Sequence, residues 1–194
     1  MKQLSAASGL LVVLVVTAHT SFTSSAAAAG EHPQVNPDRR LLTDFKRRVG
    51  EYIEVRKKAE AQVPPLKKTT KDPAEIRLAQ EALAQRIRAL RANAKHGDIF
   101  TVEISGYFRR LLRPTVTDKT TKQTIFDDNP GNIPYLKVNA VYPDDKPLST
   151  VPPDVLMTLP VLPDDIEYRF VGKHMILRDA RANLIIDYIP DVIP

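Results

Sequence analysis

The sequence predicts an α+β fold: an N-terminal antiparallel helical hairpin plus a third short helix, a proline-rich extended connection, and a C-terminal three-stranded antiparallel meander. Three observations predict it. Apolar residues recur every third or fourth position before residue 113, nine of the sixteen prolines fall between Pro114 and Pro163, and strict alternation takes over in the last thirty residues. Charge divides at the same place. Residues 31–113 hold 19 basic and 11 acidic side chains, whereas residues 114–194 hold 8 and 12. The chain of 194 residues carries a formal +5 and has no Cys, which excludes a disulfide scaffold, a thiolate metal site and a cysteine nucleophile.

Residues 1–29 read as a signal peptide. Lys2 supplies a positive start, Gly9 to Val16 is an apolar run, and Ser21 to Ser25 leads into Ala26-Ala27-Ala28-Ala29. Small residues at Ala27 and Ala29 match the cleavage rule and place the cut after Ala29 or one residue earlier. An uncleaved anchor fits less well, because a spanning helix needs roughly 20 apolar residues. The short apolar run and alanine-rich end look bacterial, so the mature chain is expected to be periplasmic or secreted, with no transmembrane segment after removal of the leader.

The basic helical region, 30–113, follows. Pro37-Asp38 opens a segment in which Leu42, Phe45, Val49, Tyr52, Ile53, Ala59 and Val63 share a face, and Pro64-Pro65 stops it. Asp72-Pro73-Ala74-Glu75 then combines an N-cap, a proline at the first helical position and an early acid. Its helix carries Ile76, Ala79, Leu83, Ile87, Leu90 and Ala94 towards a stop at Gly97. A third helix is expected from Val102 to Leu112, capped by Thr101 and burying Ile104, Phe108 and Leu111. The hairpin's seam is thin and rich in alanine, so it needs another layer. The third helix supplies part of it, with self-association or the C-terminal half supplying the rest.

The connection, 114–163, reads as extended and punctuated by proline, with one strand from Tyr135 to Tyr142. Leu159-Pro160-Val161-Leu162-Pro163 is expected to pack along the neighbouring sheet or helices. The meander, 164–194, is the most regular β signal. Ile166 to Val171 alternates, Gly172-Lys173 makes a two-residue turn, His174 to Leu177 returns, and Asp179 to Asn183 turns again before Leu184 to Ile189. One face, with Tyr168, Phe170, Met175 and Leu177, must be covered, because a lone small sheet is barely stable.

The order Leu159-Pro160, Tyr168-Arg169-Phe170-Val171-Gly172, Ile176-Leu177-Arg178-Asp179 and Ile185-Ile186-Asp187-Tyr188-Ile189 resembles the small C-terminal module of RcnB-like and related bacterial periplasmic proteins. The resemblance covers about a fifth of the chain by this strand reading. It implies an exported, non-catalytic β-module. One branch of that group is associated with nickel and cobalt homeostasis, but no metal-binding residue carries over, since the helical half lies outside the match and His174 stands alone within it.

Chemical motifs are sparse. The mature chain keeps His32, His96 and His174, far apart in sequence and none at a two-ligand spacing, so no metal site is expected. Ser105 and Ser149 are its serines, neither in a nucleophile-elbow context. Adjacent acids such as Asp127-Asp128 point oppositely on an extended chain, and Asp127-Asp128-Asn129-Pro130-Gly131-Asn132 reads as a turn rather than a calcium loop. No cofactor motif is present. The positive feature is basic charge: on one continuous second helix Arg77, Arg88, Arg91 and Lys95 would fall within ~60° of one another. This stripe is the candidate binding surface, set against a solvated face pairing with Glu54 or Glu81. Nucleic acid is disfavoured by compartment and by the few aromatics. Anionic lipid, lipopolysaccharide, peptidoglycan-associated acids or an acidic protein remain as partners. The expected function is non-enzymatic, as a cell-envelope binding or assembly factor. The alternatives are an envelope hydrolase using carboxylates such as Glu103 and Asp179, and a metal-homeostasis accessory protein.

Overall fold

The computed structural model describes residues 36–65, 71–129 and 136–194. The leader, His32, the linker from 66 to 70 and Tyr135 at the start of the expected strand lie outside them. Helix α1 spans Pro37–Glu60, opened by Asn36, whose side chain accepts the Asp38 amide at 2.9 Å, with Pro37 in the first turn where its missing donor costs nothing. Helix α2 spans Pro73–Leu90 and starts as its sequence demands, Asp72 accepting the Ala74 amide at 2.9 Å. The two helices run antiparallel. Tyr52 of α1 meets Arg91 just past α2, whereas Gln62 beyond α1 meets Arg86 within α2.

Helix α3 spans Val102–Val116 behind the expected Thr101 cap, burying Ile104, Phe108 and Leu112. It runs past Leu112 and through Pro114. A proline near the last turn removes one donor and displaces one carbonyl contact, and here the Thr115 and Thr117 hydroxyls bond back to the Leu112 and Arg113 carbonyls at 2.8 and 2.7 Å.

The connection is less extended than its prolines suggest. Helix α4 spans Lys119–Asp127, capped by Asp118 on the Thr121 amide, and buries Thr121 and Ile125 one turn apart. Helix α5 spans Pro153–Thr158. Pro153 occupies its first position, where the ring pre-sets helical φ, so the Pro-Pro pair that reads as polyproline starts a helix instead. The expected strand ending at Tyr142 is also corrected. Asn139 sits at φ 64°, which breaks extended geometry. What remains is a single bridge, Val141 with Leu184, flanked by bonds from the Asn139 and Tyr142 amides to the Ile185 and Asn183 carbonyls.

Strands β1 (Ile166–Val171), β2 (His174–Asp179) and β3 (Leu184–Ile189) form the antiparallel meander in that order, so the chain is α+β with helices first and strands last. Gly172 turns β1 into β2 at φ 58°, which favours glycine. Asp179 turns β2 into β3, its Oδ1 accepting the Arg181 and Ala182 amides at 2.9 and 3.0 Å. Tyr168, Phe170, Met175 and Leu177 face a core shared with Phe45, Val49 and Tyr52 of α1, Leu83 and Ile87 of α2, and Ile104 and Phe108 of α3. The sheet and α3 thus supply the layer the hairpin lacks. Phe108 is central, with its ring 4.9 Å from Phe45, 5.2 Å from Phe100 and 6.1 Å from Tyr168.

A bulge between Leu177 and Arg178 shifts the register to β3, pairing Leu177 with Asp187 and Arg178 with Ile185. Ile186 and Asp187, though consecutive, are then both wholly withdrawn from water. The Asp187 carboxylate accepts the amides of Gly97, Ile99 and Phe100 at 3.1, 2.9 and 2.9 Å, fixing the α2–α3 loop against the sheet.

The opposite sheet face holds Val171, Ile176 and Ile185 with Tyr142, and beside them Glu167 bonds Arg169 at 2.6 Å and Arg178 at 2.5 Å. Burial alone would raise the Glu167 carboxyl, but these two guanidinium bonds outweigh it and hold it below its ordinary 4.5. A lowered folded-state value stabilises above the unfolded value, and that contribution is lost as pH falls through the folded one. Urea midpoints measured from neutral to acid pH are therefore expected to fall less for Glu167→Gln than for the wild type below about pH 4.5. Parallel curves would show that the pair adds no acid sensitivity.

Candidate binding groove and the placement of the basic residues

Sheet edges expose rows of unpaired amides and carbonyls unless something covers them. Residues 139–142 cover the outer edge of β3. The β1 edge is treated differently. The Ala180 amide bonds the Asp165 carbonyl at 2.8 Å, which with the β1–β2 register turns the peptide groups of Ile166, Tyr168 and Phe170 outward. The Ser149 hydroxyl donates to the Phe170 carbonyl at 2.6 Å and accepts its amide at 2.9 Å. Beyond the strand, the Asn129 side chain does the same for Gly172, at 2.8 and 2.7 Å. The Ile166 amide closes a turn onto Pro163 at 3.2 Å. The Tyr168 N–H and C=O have no partner among the described residues.

A groove of about 440 Å³ includes this open position, lined by Thr150 and Val151, Leu156 of α5, Leu159 to Leu162, and Ile166 to Arg169 of β1. Leu156 is 53% exposed and Val161 88%. The Tyr168 phenol donates to the Pro160 carbonyl at 3.0 Å and ties the Leu159–Leu162 wall to β1. Burial first, and then the neighbouring Tyr107, push that phenol upward, so it remains a neutral donor. Of the charged groups in the lining, Glu167 bonds both Arg169 and Arg178, and Arg169 Nε has no partner among the described residues, so the groove offers no free carboxylate.

The four residues expected as a basic stripe are not one surface. Helix α2 ends at Leu90 rather than near Gly97, so Lys95 is off the helix, and Arg91 is its C-cap at φ −116°. Arg77 and Lys95 are exposed. Arg88 and Arg91 instead clamp the Asn139 turn: Arg88 Nε donates to the Asn139 carbonyl at 2.8 Å, Arg91 Nη1 donates to its side-chain oxygen at 2.8 Å, and the Asn139 side-chain Nδ2 donates to the Arg91 carbonyl. The Arg91 guanidinium also lies 4.9 Å from the centre of the Tyr52 ring. Burial lowers its pKa, the expected sign for a partly desolvated cation. Charge reversal here is not a surface change. Arg91→Glu is expected to cost about 2 kcal/mol in chemical denaturation, from the lost bonds and the carboxylate left in their place. A midpoint equal to that of Arg77→Glu would show the clamp to be slack.

Of the carboxylates weighed for hydrolysis, Asp179 is wholly buried and its Oδ2 accepts the Tyr52 hydroxyl at 2.6 Å, with Arg56 Nη1 at 3.7 Å. Burial, then the Asp179 charge, push the Tyr52 phenol upward. Glu103 lies on the exposed first turn of α3, so one carboxylate is sealed in the core and the other faces solvent. The His96 ring stacks on Tyr188 at 4.1 Å, while His174 Nδ1 accepts the Asp191 amide at 3.0 Å. Among the described residues no group of three His, Asp or Glu side chains could hold a metal ion, and no helix is long and apolar enough to cross a membrane.

The chain matches no family model, no curated protein and no solved structure. The site therefore rests on its own geometry. The proline-flanked Leu159 to Pro163 stretch does lie along β1, as its composition suggests, but the groove it helps enclose is invisible in sequence. The nearest signal is the pairing of that wall with the isolated core serine Ser149.

Proposed function

We propose that this protein is an exported, non-enzymatic binding or assembly factor of the bacterial cell envelope, and that it engages its partner through the groove beside β1. The observation that carries this is an apolar concavity at Tyr168, the outward β1 residue whose N–H and C=O both lack a partner among the described residues. Concave apolar surfaces with a few directed polar groups are where proteins receive ligands. Export is supported by the charged, apolar and small-residue order ending at Ala29, and by the resemblance of the meander to RcnB-like periplasmic modules. The exported protein is expected to have the intact mass of a chain cut at Ala29 or one residue earlier. Retention of Met1 in the envelope fraction would contradict cleavage.

The functional test uses a photo-activatable residue placed in turn at Val161 and at Val102, which are 88% and 85% exposed but only the first of which lines the groove. Irradiation of intact cells is expected to give discrete protein adducts from position 161 and background labelling from position 102. Equal labelling from both would count against the groove as the contact surface.

A further inference from the structure

We propose that the groove receives an apolar segment of another protein, free of basic side chains and in extended conformation, which adds to β1 as a strand at Tyr168. This rests on the reading of the groove as the partner surface and names how it is used.

The backbone argues first. Three outward positions of this edge are already satisfied from within the chain: Gly172 by the Asn129 amide, Phe170 by the Ser149 hydroxyl, and the Ile166 amide by Pro163. Each side-chain cap donates to the carbonyl and accepts from the amide of one residue, as a neighbouring strand would. At Tyr168 no such cap exists among the described residues, and the groove takes its place. An extended segment supplies what is missing, a carbonyl for the Tyr168 N–H and an amide for the Tyr168 C=O, which is the pattern of strand addition at a sheet edge. The caps on either side restrict the new ladder to this rung and the Ile166 carbonyl.

Charge selects the occupant. Glu167 already bonds both Arg169 and Arg178, so a basic side chain entering the groove would lose water without gaining a counter-ion. The remaining walls are Val151, Leu156, Leu159, Val161 and Leu162, which fit aliphatic side chains. The partner residue opposite Tyr168 projects on the same sheet face as the Tyr168 side chain, so that position should be the apolar anchor. A second folded copy pairing β1 with β1 fits poorly, because each copy brings its own walls at residues 150–151 and 159–162 to the same place.

The test uses the isotope-labelled mature chain and a set of acetylated, C-amidated octapeptides in which Val or Leu alternates with Thr or Ser. Peptide binding is read by anisotropy of a fluorescent end label, and amide exchange by NMR. Saturating peptide is expected to slow exchange at Tyr168 about tenfold or more while leaving Phe170 and Gly172 unchanged, since those amides are already bonded. N-methylation along one edge of the peptide is expected to weaken binding about tenfold or more, with the other edge tolerant. Val161→Glu should abolish binding without moving the denaturation midpoint. Binding that leaves Tyr168 exchange unchanged and ignores N-methylation overturns strand addition but keeps the groove. Failure of every peptide to bind also overturns the inference, and whether adducts still form at position 161 then separates that failure from failure of the groove reading itself.

Discussion

Asp187→Ala is expected to lower the unfolding free energy by about 4 kcal/mol, since it strips the acceptor from three amides contributed by another segment, each costing about 1 to 3 kcal/mol when buried and unpaired. The carboxylate is wholly withdrawn from water, and the amides it receives, from Gly97, Ile99 and Phe100, join α2 to α3. Their loss frees the loop that positions Phe100 against Phe45 and Phe108. Asp187→Asn keeps one acceptor but turns an NH2 group towards amide donors, so an intermediate loss is expected. Urea denaturation of the three proteins decides the matter, and a loss below about 1 kcal/mol for the Ala variant would mean that the loop is held by its apolar contacts alone.

Phe108→Ala should be comparably damaging, at about 4 to 5 kcal/mol, because truncation of a buried aromatic adds a cavity to the lost transfer energy. Phe108 is wholly buried and is the ring through which α1, the loop before α3 and β1 meet. Phe108→Leu refills most of the volume and is expected to cost less than half as much. Equal destabilisation by Ala and Leu would locate the effect in ring geometry rather than in volume. Since small domains are stable by only about 5 to 15 kcal/mol, either Ala variant is expected to accumulate poorly in cells.

Much of this architecture is legible in the sequence where a single period governs a segment. Phe45, Val49 and Tyr52 at helical spacing, the Asp72-Pro73 start, and the alternation around Gly172 each specify an element from local residues. Errors arise where a tertiary bond overrides the local signal. Asn139 interrupts what reads as a strand because Arg88 and Arg91 hold it in a left-handed turn. Arg91 reads as surface charge because a helical projection assumes that α2 continues past Leu90, and Arg88, within α2, because nothing local shows that the Asn139 turn packs against it. Pro152-Pro153 reads as an extended pair, although the second proline begins α5. Asp187 carries a clue, a lone carboxylate in an isoleucine-rich run, but a bulge decides which amides it meets, and alternation cannot show a bulge. The groove is the least legible feature. It depends on which edge amides other segments happen to close, and Ser149 reaches β1, and Asn129 the turn beyond it, across 21 and 43 residues of chain.

The measurement that tests the account most directly is envelope association of two surface variants at low ionic strength, Val161→Glu in the groove wall and the pair Arg77→Glu with Lys95→Glu on the exposed basic side. None of the three side chains is buried, so all variants should fold as the wild type does. If the groove is the contact surface, Val161→Glu shifts from the envelope fraction to the soluble fraction while the doubly charge-reversed variant stays with the wild type. Retention of Val161→Glu in the envelope, with release of the charge-reversed protein, would contradict it and return the binding surface to the basic residues.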